Sequence, residues 1–281
     1  MAEKKEVLSS QRQSWNKFSG GWQKWNSFIQ KWMGPVGKAI IEKAELKEGD
    51  RVLDAATGTG EPGLSAAKLI GSGEVIGTDV AEDMVGFAEE NAKAQGIENY
   101  SAVVAPTSDL PFEDNSFDAV VSRFGVIFAP DVAADINELM RVVKPGGKIS
   151  AGVWAEPAKN PWATIIPKII QEVMQTTPPP PDAPGIFRCS QPDSLSNIMT
   201  EAGLKDVDRI EVTGEFVVDS PEQYWELMLE IAAPIVGALS KADESVAEEI
   251  HQKTLEVVRV NHMSGGKAVL PWSAWVMFGT K

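Results

Sequence analysis

The chain has 281 residues, 43% hydrophobic and 23% charged. That is the balance of a folded globular protein with material for a sizeable core, and it excludes a disordered, collagenous or coiled-coil chain. Forty acidic against 26 basic residues give a net charge of −14, which repels nucleic-acid phosphates and argues against DNA or RNA as a partner. A lone cysteine, Cys189, can close no intramolecular disulfide and complete no thiolate metal site. The start MAEKKEVLSS has no signal-peptide core and no apolar run approaches ~18 residues, so the expected location is cytoplasmic, without stable membrane insertion.

In chain order, residues 1–32 hold six basic and two acidic residues, net +4, which leaves −18 for the remainder. Trp15, Phe18, Trp22, Trp25, Ile29 and Trp32 fall at offsets 0, 3, 7, 10, 14 and 17, one face of a helix, which Gly20 and Gly21 are expected to break in two. From about residue 50, apolar runs at 51–55, 74–79, 100–104, 117–122 and 148–153 read as strands, with helical patterns near 62–71, 81–94 and 131–143 between most of them. Such alternation calls for a mostly parallel sheet with helices on both faces. Pro145-Gly146-Gly147 predicts a turn before the fifth strand. Beyond Trp154 the pattern loosens into an extended loop through the prolines at 178–181, a helix at 192–202 and a strand at 207–218. Ser220-Pro221-Glu222-Gln223 then caps a helix with Tyr224, Leu227, Met228, Ile231 and Ile235 on one face. A second helix at 242–260 and a last strand at 268–278 follow.

The most informative run is Val52-Leu53-Asp54-Ala55-Ala56-Thr57-Gly58-Thr59-Gly60-Glu61-Pro62-Gly63. Gly58, Gly60 and Gly63 fit G-x-G-x-x-G, and Asp79 closes the next strand nineteen residues after Gly60, where a ribose-binding acid belongs. Both a nicotinamide dinucleotide and S-adenosylmethionine suit that arrangement. Asp54 separates them: at the crevice end of the first strand its charge repels a pyrophosphate and attracts an ammonium or sulfonium. A turn-stabilising aspartate is the alternative reading.

Together with IGTDVAEDM, DLPFEDNSFDAVVSRFGVIF and RVVKPGGKI, this run resembles the class I S-adenosylmethionine-dependent methyltransferases, type 11 group, around the ubiquinone/menaquinone C-methyltransferases, over about residues 12–155. The resemblance implies a Rossmann-like α/β fold with a seven-stranded, mostly parallel sheet, an antiparallel last strand and helices on both faces, with an N-terminal helical arm and a helical insertion before the last strand added to it. It implies that Asp54, Thr57, Gly58, Thr59 and Gly60 hold the donor's methionine part, that Asp79 takes the ribose hydroxyls, and that Val80 and Met84 pack near the adenine. Relatives usually have an acid where Pro106 stands, so adenine recognition passes to Thr107, Ser108 or Asp109. Ser122 and Arg123 match the methionine end and transfer site. Met84 as plain core, and Arg123 as an ion-pair partner, remain alternatives, and Phe124 and Phe128 read as core.

Trp15, Trp22 and Trp25 resemble the aromatic segment that folds over the donor in this family, so Trp22 joins the expected donor contacts and Trp15, Tyr224, Trp225 and Met228 the expected substrate contacts. A helix merely docked on the domain, or a peripheral membrane contact, are the other readings of the arm. The chain thus divides into an arm and lid at 1–34, a core at 35–219 and 263–281, and an insertion at 220–262 that caps the substrate. His262 is the candidate general base, against a plain loop histidine; His251 reads as a solvated face. With no His/Cys cluster and no H-E-x-x-H pattern, no metal is expected. The expected activity is methyl transfer to a small, aromatic or apolar organic acceptor. A nicotinamide-dependent oxidoreductase and a non-catalytic S-adenosylmethionine-binding protein are the alternatives.

Overall fold

The computed structural model describes residues 2–180 and 183–281, with the side chains of residues 2–4 set aside. Pro181 and Asp182 of the expected proline loop, and the Glu3 and Lys4 side chains of the basic arm, therefore lie outside the described residues. Two helices lead, α1 (Ala2–Lys24) and α2 (Asn26–Ala44), followed by β1 (Arg51–Ala55), α3 (Gly63–Leu69), β2 (Glu74–Asp79), α4 (Glu82–Ala94), β3 (Tyr100–Val104), β4 (Phe117–Arg123), α5 (Val132–Val142) and β5 (Val143–Trp154). The second half holds α6 (Pro161–Met174), α7 (Ser194–Glu201), β6 (Lys205–Val218), α8 (Pro221–Ile231), α9 (Ala233–Leu239), α10 (Glu244–Asn261), β7 (Met263–Ser264) and β8 (Lys267–Thr280).

Seven strands form the sheet in the order β3-β2-β1-β4-β5-β8-β6, and the two-residue β7 adds an eighth by pairing with the start of β8. β1 to β5 are parallel, while β8 runs antiparallel to both β5 and β6. Parallel neighbours need crossovers, which α3, α4 and α5 supply, and β1 and β2 are buried from their second residue onward because helices cover both faces. Strand order reverses between β1 and β4, so a crevice opens at the carboxyl ends of those two strands.

Four local expectations are corrected. α1 runs unbroken through Gly20 and Gly21, and the chain breaks at Trp25. The reason is contact: a Cβ on Gly21 would lie 2.1 Å from the carbonyl oxygen of Glu230, so this glycine admits the backbone of α8. α6 forms where the pattern beyond Trp154 loosens, with Pro161 at a tolerated helix start and Pro167 inside it. The insertion holds three helices where two were expected. Pro145-Gly146-Gly147 bends inside β5, between pairs Phe117↔Val143 and Ala119↔Lys148, where the register shifts.

α2 continues past residue 34 and lies on the sheet, with Ile29, Trp32, Met33, Val36 and Ile40 at most 4% exposed. Each such side chain contributes about 1.5–3 kcal/mol as an upper bound. Gly152 on β5 lets it approach, since a Cβ there would meet Val36 and Ile40 at 3.0 Å. Among the described residues no helix is long and apolar enough to cross a membrane.

Candidate functional site

At the end of β1 the chain turns through Ala56 (φ 56°), Gly58 (φ 56°) and Gly60 (φ 110°), left-handed conformations that glycine adopts without strain. A Cβ on Gly58 would meet nothing within 4 Å, so open space lies beside that backbone. Asp54 is fully buried. Its Oδ2 accepts from Thr57 Oγ1 at 2.6 Å and from the Gly63 amide at 2.9 Å, while its Oδ1 has no partner. Burial pushes this carboxyl up to about 7 against the pull of the Thr57 and Gly63 bonds and of Arg123. A buried carboxylate oxygen without a donor is costly unless something cationic or protic meets it.

Across the turn, Asp79 at the end of β2 accepts from the Gly58 amide (Oδ2) and the Ala81 amide (Oδ1), both at 3.0 Å. Burial raises its pKa and the amides draw it back down. Two bonds leave carboxylate lone pairs over for ribose hydroxyls. Val80 follows it, and Met84 is 2% exposed in the first turn of α4. Thr107 and Ser108 lie in the turn after β3, closed by the Asp109 amide bonding Pro106 O.

Ser122 is committed: its hydroxyl donates to Ala55 O at 2.8 Å and ties β4 to β1. Arg123 donates to Gln30 Oε1 at 3.1 Å. Burial lowers its pKa, against the opposite charges of Glu61 and Asp54. Phe124, held at φ 64°, stacks on Trp154 at 4.1 Å and 3°. From there rings run through Trp162 and Trp32 to Phe216 and Tyr224, a buried aromatic cluster that joins β5 to α2, α6, β6 and α8.

α1 lies across the ends of β2 and β4. Arg12 Nε donates to Val80 O at 3.0 Å, Asn16 bonds both Glu82 and the Asp83 amide, Ser19 donates to Asp83, and Gln11 bonds Phe128 O. On its other side, Trp22 Nε1 donates to Ile231 O at 3.2 Å and Trp25 Nε1 to Glu230 Oε2 at 2.6 Å, with Lys24 paired to Glu226 and Glu230. The arm thus joins α4 to the insertion. Trp15 packs edge-on against Trp22 and Phe128.

The other expected substrate contacts are placed differently. Tyr224 is 0% exposed and its hydroxyl donates to Trp162 O at 2.7 Å, which makes it an anchor between α8 and α6. Met228 is buried at 3%, and Trp225 stacks on His251 at 4.8 Å, so His251 is not simply solvated. His262 caps α10 and accepts at its backbone oxygen from the Val269 amide, on the β8 stretch that runs beyond the end of β5. Burial lowers its pKa, and β7, which follows it, pairs with β8 beyond the end of β5, so that β4 stands in the sheet order between that column and β1, which leads into the glycine turn.

Sequence patterns did not single out Tyr100, Asn26 or Asn91. Tyr100 OH lies 2.8 Å from Thr57 Oγ1, Asn26 Oδ1 accepts from Thr59 Oγ1 at 3.1 Å, and Asn91 donates to Thr59 O at 2.9 Å. The available signal was Gly77, an interior strand glycine of the kind that marks a close approach. A Cβ there would be 2.3 Å from Tyr100 OH. Two surface hollows, one lined by Glu89, Lys93, Gly96 and Tyr100 and the other by Asp50, Asp118, Lys144 and Gly146, lie toward the amino ends of the strands and not at the crevice. Among the described residues no group of three or more His, Cys, Asp or Glu could hold a metal ion.

Residues 52–147 match the methyltransferase domain family. Among curated proteins, an uncharacterized protein of Mycobacterium tuberculosis is 39% identical over 122 residues, 43% of each chain. A demethylmenaquinone methyltransferase of Staphylococcus carnosus is 39% identical over 111 residues, 39% of this chain and 45% of the other. The chain thus matches a little under half the length of these relatives. Among solved structures, the YcgJ protein of Bacillus subtilis shares the fold, with a TM-score of 0.58 at 20% identity over 87% of this chain and 97% of that one. Residues 52–147 thus resemble a methyltransferase domain, including that of a demethylmenaquinone methyltransferase, and the chain shares its Rossmann-like α/β fold with the solved structure.

Proposed function

We propose that the protein is an S-adenosylmethionine-dependent methyltransferase acting on a small aromatic or apolar acceptor. The observation that carries this reading is the unpartnered, buried Oδ1 of Asp54 on β1, the strand that leads into the open, left-handed turn at Gly58. An anionic oxygen there welcomes the ammonium of the donor's methionine part and repels a dinucleotide pyrophosphate. Asp79 supplies acceptor lone pairs for ribose hydroxyls, with Val80, Met84 and the Thr107–Ser108 turn flanking the adenine side.

When bound, S-adenosylmethionine supplies a methyl group on a positively charged sulfur, which an electron-rich acceptor atom takes by in-line displacement. The chain's share is orientation and exclusion of water. Holding two reactants at near-attack distance can lower a barrier by about 7–11 kcal/mol, so no catalytic base is obligatory. Asp54 and Asp79 fix one reactant, and α1, tied to α4 and α8, closes the space above them. Support for an aromatic or apolar acceptor comes from a relative, since the rings from Phe124 to Phe216 are themselves core, at most 8% exposed. The Staphylococcus carnosus relative, by its name, methylates demethylmenaquinone, an acceptor of that character.

The test is transfer of isotope-labelled methyl from S-adenosylmethionine to a panel of phenols, quinols, aromatic amines and aliphatic acids. Label is expected in an aromatic member and not in reactions of the Asp79→Ala variant. Donor binding without transfer to any acceptor class would instead favour a non-catalytic donor-binding protein.

A further inference from the structure

The buried chain of groups behind Asp54 has no counterpart in the contacts assigned so far. Thr57 Oγ1 has one proton and gives it to Asp54 Oδ2 at 2.6 Å. Its 2.8 Å contact with Tyr100 OH must then be donated by the tyrosine. The tyrosine ring comes from the start of β3 and threads past two glycines. A Cβ on Gly77 would lie 2.3 Å from its hydroxyl, and one on Gly63 would lie 3.0 Å from its Cε2. Oδ2 is also held by the Gly63 amide at 2.9 Å. One carboxylate oxygen is thus held by two groups, Thr57 from the turn and the Gly63 amide at the start of α3, with Tyr100 from β3 standing behind Thr57, and the other is left bare and buried.

We propose that Tyr100, acting through Thr57, is a positioning residue for donor capture, and that the donor's ammonium displaces a proton from Oδ1 of Asp54 as it binds. The inference rests on the donor-site reading above. In the protonated fraction of the free protein, the proton sits on the bare oxygen. On binding, the O–H bond breaks, the proton leaves to solvent, and the carboxylate pairs with the cation.

The surroundings fit such a balance. Arg123 from β4 favours the ionised form, Glu61 from the turn opposes it, and Tyr100 faces it from β3 as a neutral phenol, its own pKa raised by burial. Burial dominates and pushes Asp54 up to about 7, so the free protein changes protonation in the neutral range. If only the ionised form takes the donor, apparent affinity should rise about eightfold from pH 6 to pH 7.5. About half a proton should leave per donor bound at pH 7. Without the tyrosine hydroxyl, Thr57 supports the carboxylate less well and the profile moves to higher pH.

The experiment is calorimetric titration of the full chain with S-adenosylhomocysteine at pH 6, 7 and 7.5, in buffers of different ionisation heat. Wild type, Tyr100→Phe and Asp54→Asn are compared, each checked for folding by thermal melting. The expected results are the eightfold rise and proton release in wild type, roughly two- to threefold weaker binding at pH 7.5 in Tyr100→Phe with a shifted profile, and a flat profile in Asp54→Asn. Tight wild-type binding that is independent of pH and releases no proton would overturn the inference and leave the donor site standing, as would an unshifted profile in Tyr100→Phe. The wild-type proton release needs no variant to fold. Absence of wild-type binding at every pH would overturn the donor-site reading itself, and this inference with it.

Discussion

Gly63 and Gly86 both begin or lie within helices, yet alanine should act oppositely at the two. At Gly63 a Cβ would sit 2.6 Å from Asp54 Oδ2 and 3.0 Å from both Asp54 Cβ and Tyr100 Cε2. None of these is the free end of a flexible side chain, because Asp54 is clamped by Thr57 and by the Gly63 amide itself. Overpacking a fixed site costs about 1–3 kcal/mol, and stretching the amide bond to the carboxylate costs ~1 kcal/mol more. Alanine's better helix propensity returns about 1 kcal/mol, leaving a net loss of about 2 kcal/mol. At Gly86, inside α4 and exposed, a Cβ meets nothing within 4 Å, so Gly86→Ala should gain about 0.5–1 kcal/mol. Urea denaturation measures both, and titration with S-adenosylhomocysteine should show affinity lost at least tenfold in Gly63→Ala and unchanged in Gly86→Ala, an order-of-magnitude expectation from displacing a group that binds the donor. Equal stability and equal affinity of Gly63→Ala and wild type would refute the geometry argued for Asp54.

Tyr224→Phe leaves the Trp162 carbonyl without its buried donor and should cost about 1–2 kcal/mol while leaving donor affinity alone; a changed affinity with unchanged stability would return Tyr224 to the binding site. Asn16→Ala combined with Ser19→Ala removes the Asn16 and Ser19 bonds of α1 to Glu82 and Asp83, leaving the Arg12–Glu82 ion pair, and stopped-flow release of the donor should become several-fold faster, which an unchanged rate would contradict. Asp135, 5% exposed, is pushed to about 7 by burial and then by Asp131, against Arg188. Its folded form holds a proton that the unfolded chain gives up near pH 4, so the stability it contributes is present at low pH and is lost as pH rises to 7. The variant Asp135→Asn should therefore show less loss of stability than wild type between pH 5 and pH 7 in urea titrations, and an identical loss would count against the burial argument.

The middle of the sheet was readable because β1, β2 and β4 are buried along most of their length and so appear as near-continuous apolar runs, the first of them closed by the turn at Gly58–Gly63. The residues proposed to hold the donor could be picked out for the same reason: they sit at strand ends that the runs locate. What local pattern could not show is contact across long sequence separations. Gly21 reads as a breaker until Glu230 is placed against it, and the stretch of α6 reads as loosened pattern until the helix is seen packed on β8 and α10. Tyr100 reads as the first residue of a strand until the pairing of β3 with β2 brings its ring under the Gly77 backbone. The insertion was located by its cap at Ser220, whose hydroxyl accepts from the Gln223 amide. Which of its residues face inward depended on α6 and α1, so Tyr224 looked like a pocket wall and is an anchor.

The central claim is that the crevice between β1 and β4 takes a methyl donor. Its most direct test is calorimetric titration of the full chain with S-adenosylhomocysteine, with NADH in parallel and Asp79→Ala as control. Micromolar binding of S-adenosylhomocysteine, an order of magnitude usual for a small ligand of this kind, lost in the variant and absent for NADH, is the predicted result; binding of NADH alone would contradict the account and make Asp54 a turn residue rather than a ligand.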